Sequence, residues 1–157
     1  MEFRFSCTRC SSCCRGESGL VMLSLNDIER MCNFFNYTTS DFIKVYCRPI
    51  FKENNTYVSL IEKKNGPNDY DCIFWENGCK IYSVRPLQCS SYPFWHTIIL
   101  SEGGWEKEHA WCPGIGKGQL HSHKTVNNWL NARQSEPYVL WKDIISSKME
   151  MKDDQTA

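Results

Sequence analysis

The chain has 157 residues, 41% of them hydrophobic, and its eighteen basic side chains balance eighteen acidic ones. A chain of this length closes one hydrophobic core but hardly two, and a formal net charge of zero offers no field to draw it onto nucleic acid or an anionic membrane. The longest apolar stretches, such as Phe94 to Leu100, fall far short of the roughly 20 residues of a bilayer span, and Arg4, Ser6 and Arg9 interrupt any signal-type segment at the start. A single domain over residues 1–157 is therefore expected, cytoplasmic, with no nucleic-acid and no membrane partner.

Four cysteines, Cys7, Cys10, Cys13 and Cys14, stand in the first fourteen residues. After Gly19 the run Leu20-Val21-Met22-Leu23 predicts a short strand, and Ser24 or Asn26 can cap a helix from Leu25 to Phe35 with Leu25, Ile28, Cys32 and Phe35 on one face. Thr38-Thr39-Ser40-Asp41 caps a second helix running to about Cys47, where Pro49 is expected to stop it. Its buried stripe is Phe42, Ile43, Tyr46 and Cys47. Both Cys32 and Cys47 fall at core positions, where a free thiol behaves as a small hydrophobe.

Thr56 to Ile61 alternates as a strand should and is closed by Asn65-Gly66-Pro67. His96 to His109 reads as a hairpin turning at Glu102-Gly103-Gly104. Thr125 to Arg133 and Pro137 to Met149 read as two helices that cover the cysteine-bearing part, followed by the polar tail Lys148 to Ala157.

A second cysteine cluster lies in DCIFWENGCKIYSVRPLQCSSYPFW, with Cys72, Cys79 and Cys89, and Cys112 follows in WCPGIGKG. In a reduced compartment such a pattern binds metal or carries redox chemistry rather than disulfides. The competing reading, a secreted disulfide-stapled domain, is weakened because six Trp, seven Tyr and eight Phe can build a core without staples. Cysteines two residues apart present two sulfurs to one ion from a tight turn, and Cys7, Cys10 and Cys13 repeat that spacing. The adjacent Cys13 and Cys14 cannot easily both bind one centre in the same geometry. No histidine lies within the runs, so the donor set is all thiolate, suited to an iron–sulfur cluster or to a four-thiolate zinc site.

The pattern C-x2-C-x2-CC, then an Asp-containing helix (Asn26-Asp27-Ile28-Glu29-Arg30), then Gly78-Cys79-Lys80-Ile81-Tyr82, Arg85-Pro86, Cys89, Pro93-Phe94-Trp95 and Cys112-Pro113-Gly114 resembles the YkgJ-like cysteine-cluster family over residues 5–118. The resemblance implies zinc or iron chelation by the motif cysteines. It also brings an association with iron–sulfur oxidoreductases and, more remotely, with protein lysine methylation, for which no separate methyl-donor region is visible. Family members commonly carry Cys-Arg-x-Phe-Pro at the third cysteine of the second cluster, where this chain has Cys89-Ser90-Ser91-Tyr92-Pro93. Any cationic role there falls to Arg85, Arg15 or Lys80, or is absent.

Phe74, Trp75, Tyr82, Tyr92, Phe94 and Trp95 interleave with the thiols and can shield a centre from water, although each ring serves equally as ordinary core. Arg85 before Pro86 is either a structural turn residue or an offset to anionic sulfur. Gly114-Ile115-Gly116-Lys117-Gly118 fails the spacing of a phosphate loop, and His121 and His123 read as solvated loop residues outside the site. The expectation is an α+β domain with short strands, several helices and irregular cysteine loops. Cys7, Cys10, Cys13, Cys14, Cys72, Cys79, Cys89 and Cys112 form its ligand pool. The first cofactor is an iron–sulfur cluster of the [4Fe–4S] kind, with a redox or electron-transfer role and a protein partner; the alternative is a zinc-binding interaction module without catalysis.

Overall fold

A computed structural model of the chain describes residues 2–146; the tail Lys148 to Ala157 and the end of the helix expected up to Met149 lie outside them. Ser24 caps helix α1 (Leu25–Phe35): its side chain accepts from the Asp27 N–H while the Asp27 carboxylate accepts from the Ser24 N–H, a reciprocal capping box. Ile28, Met31 and Cys32 turn inward. Leu25, expected on that face, lies at its outer rim and is 54% exposed, and Met31 supplies the inward contact. Thr38 caps α2 (Thr39–Tyr46), which buries Phe42 and Ile43.

Pro49 does not end α2. The chain leaves the helix at Tyr46 and passes directly into strand β3 (Cys47–Lys52), with Pro49 opposite Val58 of β4 (Asn55–Leu60) in an antiparallel pair. Strand β3 pairs with β4 alone and is an edge, and an edge tolerates a residue with no N–H. The expected Leu20–Leu23 strand runs beside β4 through Leu60 N–H to Val21 C=O and Leu23 N–H to Val58 C=O, both 3.0 Å, but only Met22 completes an isolated bridge there.

Asn65-Gly66 ends β5 (Glu62–Gly66) rather than closing the strand before it, and β6 (Asp69–Cys72) returns to pair first with β5 and then with β2 (Arg15–Gly16). A third sheet joins β1 (Phe3–Phe5) to β7 (Ile115–His121), which follows the cysteine-bearing middle of the chain.

The hairpin expected over His96–His109 is replaced by two short helices, α4 (His96–Ile99) and α5 (Gly104–His109). Trp95, Ile98 and Ile99 are spaced for a helical turn, and Ile98 and Trp105 are buried between the pair. A Cβ at Gly104 would collide with the Ile98 carbonyl oxygen, so the glycine lets α5 approach α4 closely. Ser122 then caps α6 (His123–Ser135), longer than the predicted Thr125–Arg133. Tyr138 and Leu140 make isolated bridges to Ser24 and Tyr57 before a helical turn over residues 141–146, so the last helix begins later than Pro137.

Two hydrophobic clusters, where the chain length predicts one core, hold this α+β fold. One centres on Leu23, Ile28, Met31, Phe42 and Val58 and takes in both Cys32 and Cys47. The other gathers Phe3, Phe94, Ile98, Trp105, Ile115, Val126 and Leu130. No helix among the described residues is long and apolar enough to cross a membrane.

Candidate metal centre

The two cysteine runs are joined by backbone. The Cys72 N–H donates to the Cys14 carbonyl at 2.7 Å, extending the antiparallel register that sets Arg15 opposite Asp71. Side chains repeat the connection: Arg15 Nε lies 3.0 Å from Asp71 Oδ1 and its guanidinium sits 3.9 Å over the Trp75 ring. At the other end of the first run, Gln119 N–H donates to Ser6 Oγ at 3.0 Å. A side chain at Gly118 would overlap Ser6, so this glycine admits the strand that delivers Cys7.

From Cys72 the chain turns back on itself, with Trp75 N–H to Cys72 C=O and Lys80 N–H to Phe74 C=O, both 2.9 Å, and this sets Cys79 beside the same region. A 3-10 turn at Tyr82–Val84 leads to Arg85-Pro86 and helix α3 (Leu87–Ser90), which carries Cys89. Pro86 opens α3 and needs no N–H there.

The position of α3 is fixed by Asp27. This carboxylate is fully buried and accepts from Ser24 N–H at 2.9 Å, Leu87 N–H at 2.8 Å and Arg30 Nη2 at 2.7 Å. Arg30 also donates to the Arg85 carbonyl at 3.1 Å. One side chain thus caps α1 and anchors the Arg85-Pro86-Leu87 corner. Gln88 adds a second attachment, accepting from Met22 N–H at 3.0 Å and donating to Leu20 C=O at 2.6 Å.

Of the eight pooled thiols, Cys13, Cys14, Cys72, Cys79 and Cys89 come within electrostatic reach of one another, and Cys10 reaches Cys13. Cys13 and Cys14 sulfurs are 3.7 Å apart. Cys7 is exposed and accepts from the Arg9 N–H. Cys112 is not brought to the group: it is buried in the second hydrophobic cluster beside Tyr92, whose hydroxyl donates to Glu108 Oε1 at 2.5 Å. Among the described residues no three His, Cys, Asp or Glu side chains already converge tightly enough to hold an ion. The gathered sulfurs are neighbours that must turn inward to share one.

Their protonation explains what an ion would do. The hydrogen bond from Cys14 pulls the Cys13 thiol down to about 7, with Arg85 helping and partial desolvation of the sulfur opposing, although the residue as a whole is exposed. Cys14 is pushed up by that same bond, which uses its proton, and by burial. Burial raises Cys72, Cys79 and Cys89, and the neighbouring thiols push the same way. One thiolate is therefore stable near neutral pH and a second or third is not, unless a cation replaces the protons. This donor chemistry fits a thiophilic metal: all sulfur, partly buried, with an arginine alongside.

Asp27 and Gln88 are supporting residues that sequence reasoning did not assign, and Tyr82, expected only as a shield, has both Arg9 and Arg85 over its ring. The capping spacing Ser24-x-x-Asp27 was visible, but the reach of Asp27 to Leu87, sixty residues on, had no local signal. The aromatic residues divide: Trp75 and Tyr82 flank the thiol region, while Phe74 and Phe94 are core. His121 bonds the Phe5 carbonyl through Nε2 at 3.0 Å, and His123 packs edge-on against Phe3.

The family profile CxxCxxCC, described as a "putative zinc- or iron-chelating domain", matches residues 6–113. The chain belongs to this family of metal-chelating domains. The match is slightly shorter than the resemblance over residues 5–118. No solved structure matches the chain.

Proposed function

We propose that this metal-binding protein holds an iron–sulfur cluster, of the [4Fe–4S] kind, through cysteines drawn from Cys13, Cys14, Cys72, Cys79 and Cys89, and that it exchanges electrons with a protein partner. The observation that carries the reading is the grouping of five thiols from three chain segments, with no histidine among them, beside Arg85. An all-thiolate donor set in a partly buried, aromatic-flanked site is the setting in which such clusters are held and their potentials tuned. When bound, the cluster supplies one-electron chemistry; the chain supplies ligands, charge balance and partial exclusion of water. Cys7 and Cys10, on the exposed loop, are further donors, and Cys112 would serve only after the second cluster rearranged.

One observation favours zinc instead. Cys7, Cys10 and Cys13 are solvent-exposed, a setting that suits a redox-inert ion holding a loop for partner binding. Spectroscopy of anaerobically purified protein separates the two. Broad visible absorption that bleaches in air and a paramagnetic signal on reduction or oxidation support the cluster; a colourless, spectroscopically silent metalloprotein contradicts it. Serine at Cys72 or Cys89 is expected to abolish metal binding in folded protein, whereas Cys112→Ser is expected to retain it.

A further inference from the structure

We propose that Arg85 is the positioning residue that offsets the negative charge of the metal–thiolate centre, and that Tyr82 holds it there by stacking. The inference rests on the reading of Cys13, Cys79 and Cys89 as metal ligands. Of Arg15, Lys80 and Arg85, the cations expected beside the second cysteine cluster, two are already neutralised, and Lys63 donates to the Trp75 carbonyl at 2.7 Å. Arg15 pairs with Asp71 and Lys80 pairs with Glu76. Arg85 has no carboxylate partner among the described residues, and its Nε is buried with no hydrogen-bond partner. Its place in the chain is between Cys79 and Cys89: the guanidinium lies over Tyr82, three residues past Cys79, and the Arg85-Pro86 corner leads into helix α3, which carries Cys89.

The guanidinium is held by its face rather than by its donors. Its central carbon lies 3.7 Å from the centroid of the Tyr82 ring, and that of Arg9 lies 4.3 Å from the same centroid. Both guanidiniums are within cation–π range of this one ring. Arg9 belongs to the exposed loop between Cys7 and Cys10, and the shared ring therefore ties that loop to the segment carrying Arg85.

The Arg85 backbone is equally constrained. Its carbonyl accepts from Arg30, and the following proline holds it extended, at φ −49° and ψ 142°. Four thiolates around a divalent ion leave a net charge of about −2. A fixed cation with unused donors, pinned by stacking and backbone, meets that charge without ordering any new group. The chain thereby supplies a cation even though Ser90 follows Cys89.

The test uses the full-length chain loaded with zinc(II) under reducing conditions and challenged with excess chelator, comparing Arg85→Met, Arg85→Lys and Tyr82→Leu with the parent. Arg85→Met is expected to release zinc about 10–100-fold faster, the range for outer-shell partners of metal ligands. Arg85→Lys, which keeps the charge but loses the planar face stacked on Tyr82, is expected to fall between the parent and Arg85→Met. Tyr82→Leu keeps both arginines but removes their support, and is expected to release zinc faster than the parent. This comparison decides the matter if Arg85→Met does not fold. Folded Arg85→Met releasing at the parental rate, Arg85→Lys releasing as fast as Arg85→Met, or Tyr82→Leu releasing at the parental rate overturns the assignment. A parent that retains neither zinc nor a reconstituted iron–sulfur cluster refutes the underlying ligand reading, a result distinct from zinc-loaded parent and Arg85→Met behaving alike.

Discussion

Removing the Asp27 carboxylate should be among the most destabilising single changes in the protein. Three donors converge on it, Ser24 N–H, Leu87 N–H and Arg30 Nη2, at 2.7 to 2.9 Å. Asp27→Ala leaves two backbone N–H groups without this acceptor, each costing about 1–3 kcal/mol when buried, and removes the carboxylate from its Arg30 pair. About 3–5 kcal/mol is the expected total, a fall in melting temperature of about 10 °C for a chain of this length. Asp27→Asn keeps one acceptor oxygen but turns an amide donor towards an existing donor, so about 2–3 kcal/mol is expected. The assay is urea and thermal unfolding of metal-loaded protein, followed by circular dichroism under reducing conditions. Because Leu87 begins the helix carrying Cys89, metal release should also accelerate in Asp27→Asn. An Asp27→Ala loss below about 1 kcal/mol, a typical surface value, would refute the reasoning.

Metal stripped from reduced protein should take the cooperative melt with it, because candidate ligands from Cys13 to Cys89 close long loops; an unchanged melt would contradict this. Cys32→Ala and Cys47→Ala should each cost about 1–2 kcal/mol and leave metal content intact, consistent with burial raising Cys32 and pushing Cys47 up to about 12; metal loss from folded Cys47→Ala would contradict it. The Glu62 carboxyl is raised by burial but lowered by more through hydrogen bonds from Gly19 N–H, Ser18 and Arg48, leaving it below its ordinary value. Its stabilisation is therefore complete above the unfolded value of about 4.3 and is lost as the pH falls through the folded value. Glu62→Gln should flatten the acid limb of the stability curve, and an unaltered limb would show that another carboxylate dominates.

Helices α1 and α2 were legible because capping residues and apolar periodicity agree, and α6 by its apolar spacing alone, which fell two residues short at each end. Strand β4 alternates and was equally plain. Strands β5 and β6 were not, since Glu-Lys-Lys-Asn-Gly and Asp-Tyr-Asp-Cys have no apolar alternation and exist because β2 and β5 pair with β6. Likewise the glycines at 103 and 104 suggest a hairpin only if the flanking segments are strands. The packing of Ile98 against Trp105 makes them helices.

The eight motif cysteines stand out in the sequence by their spacing, but which of them become neighbours does not. The contact between the Cys14 carbonyl and the Cys72 N–H spans 58 residues, and that between Asp27 and Leu87 spans 60. Such contacts bring the cysteine segments side by side, and no local pattern encodes them. Cys112 shows the same limit: its motif resembles that of a ligand, yet Tyr92, Phe94 and Trp105 surround a different core.

The central claim is tested most directly by measuring iron, zinc and acid-labile sulfide in protein purified without oxygen. The account predicts iron and sulfide in matching proportion, both lost together in Cys72→Ser and Cys89→Ser. Stoichiometric zinc with no sulfide would contradict the cluster and its redox role, leaving a zinc-chelating domain.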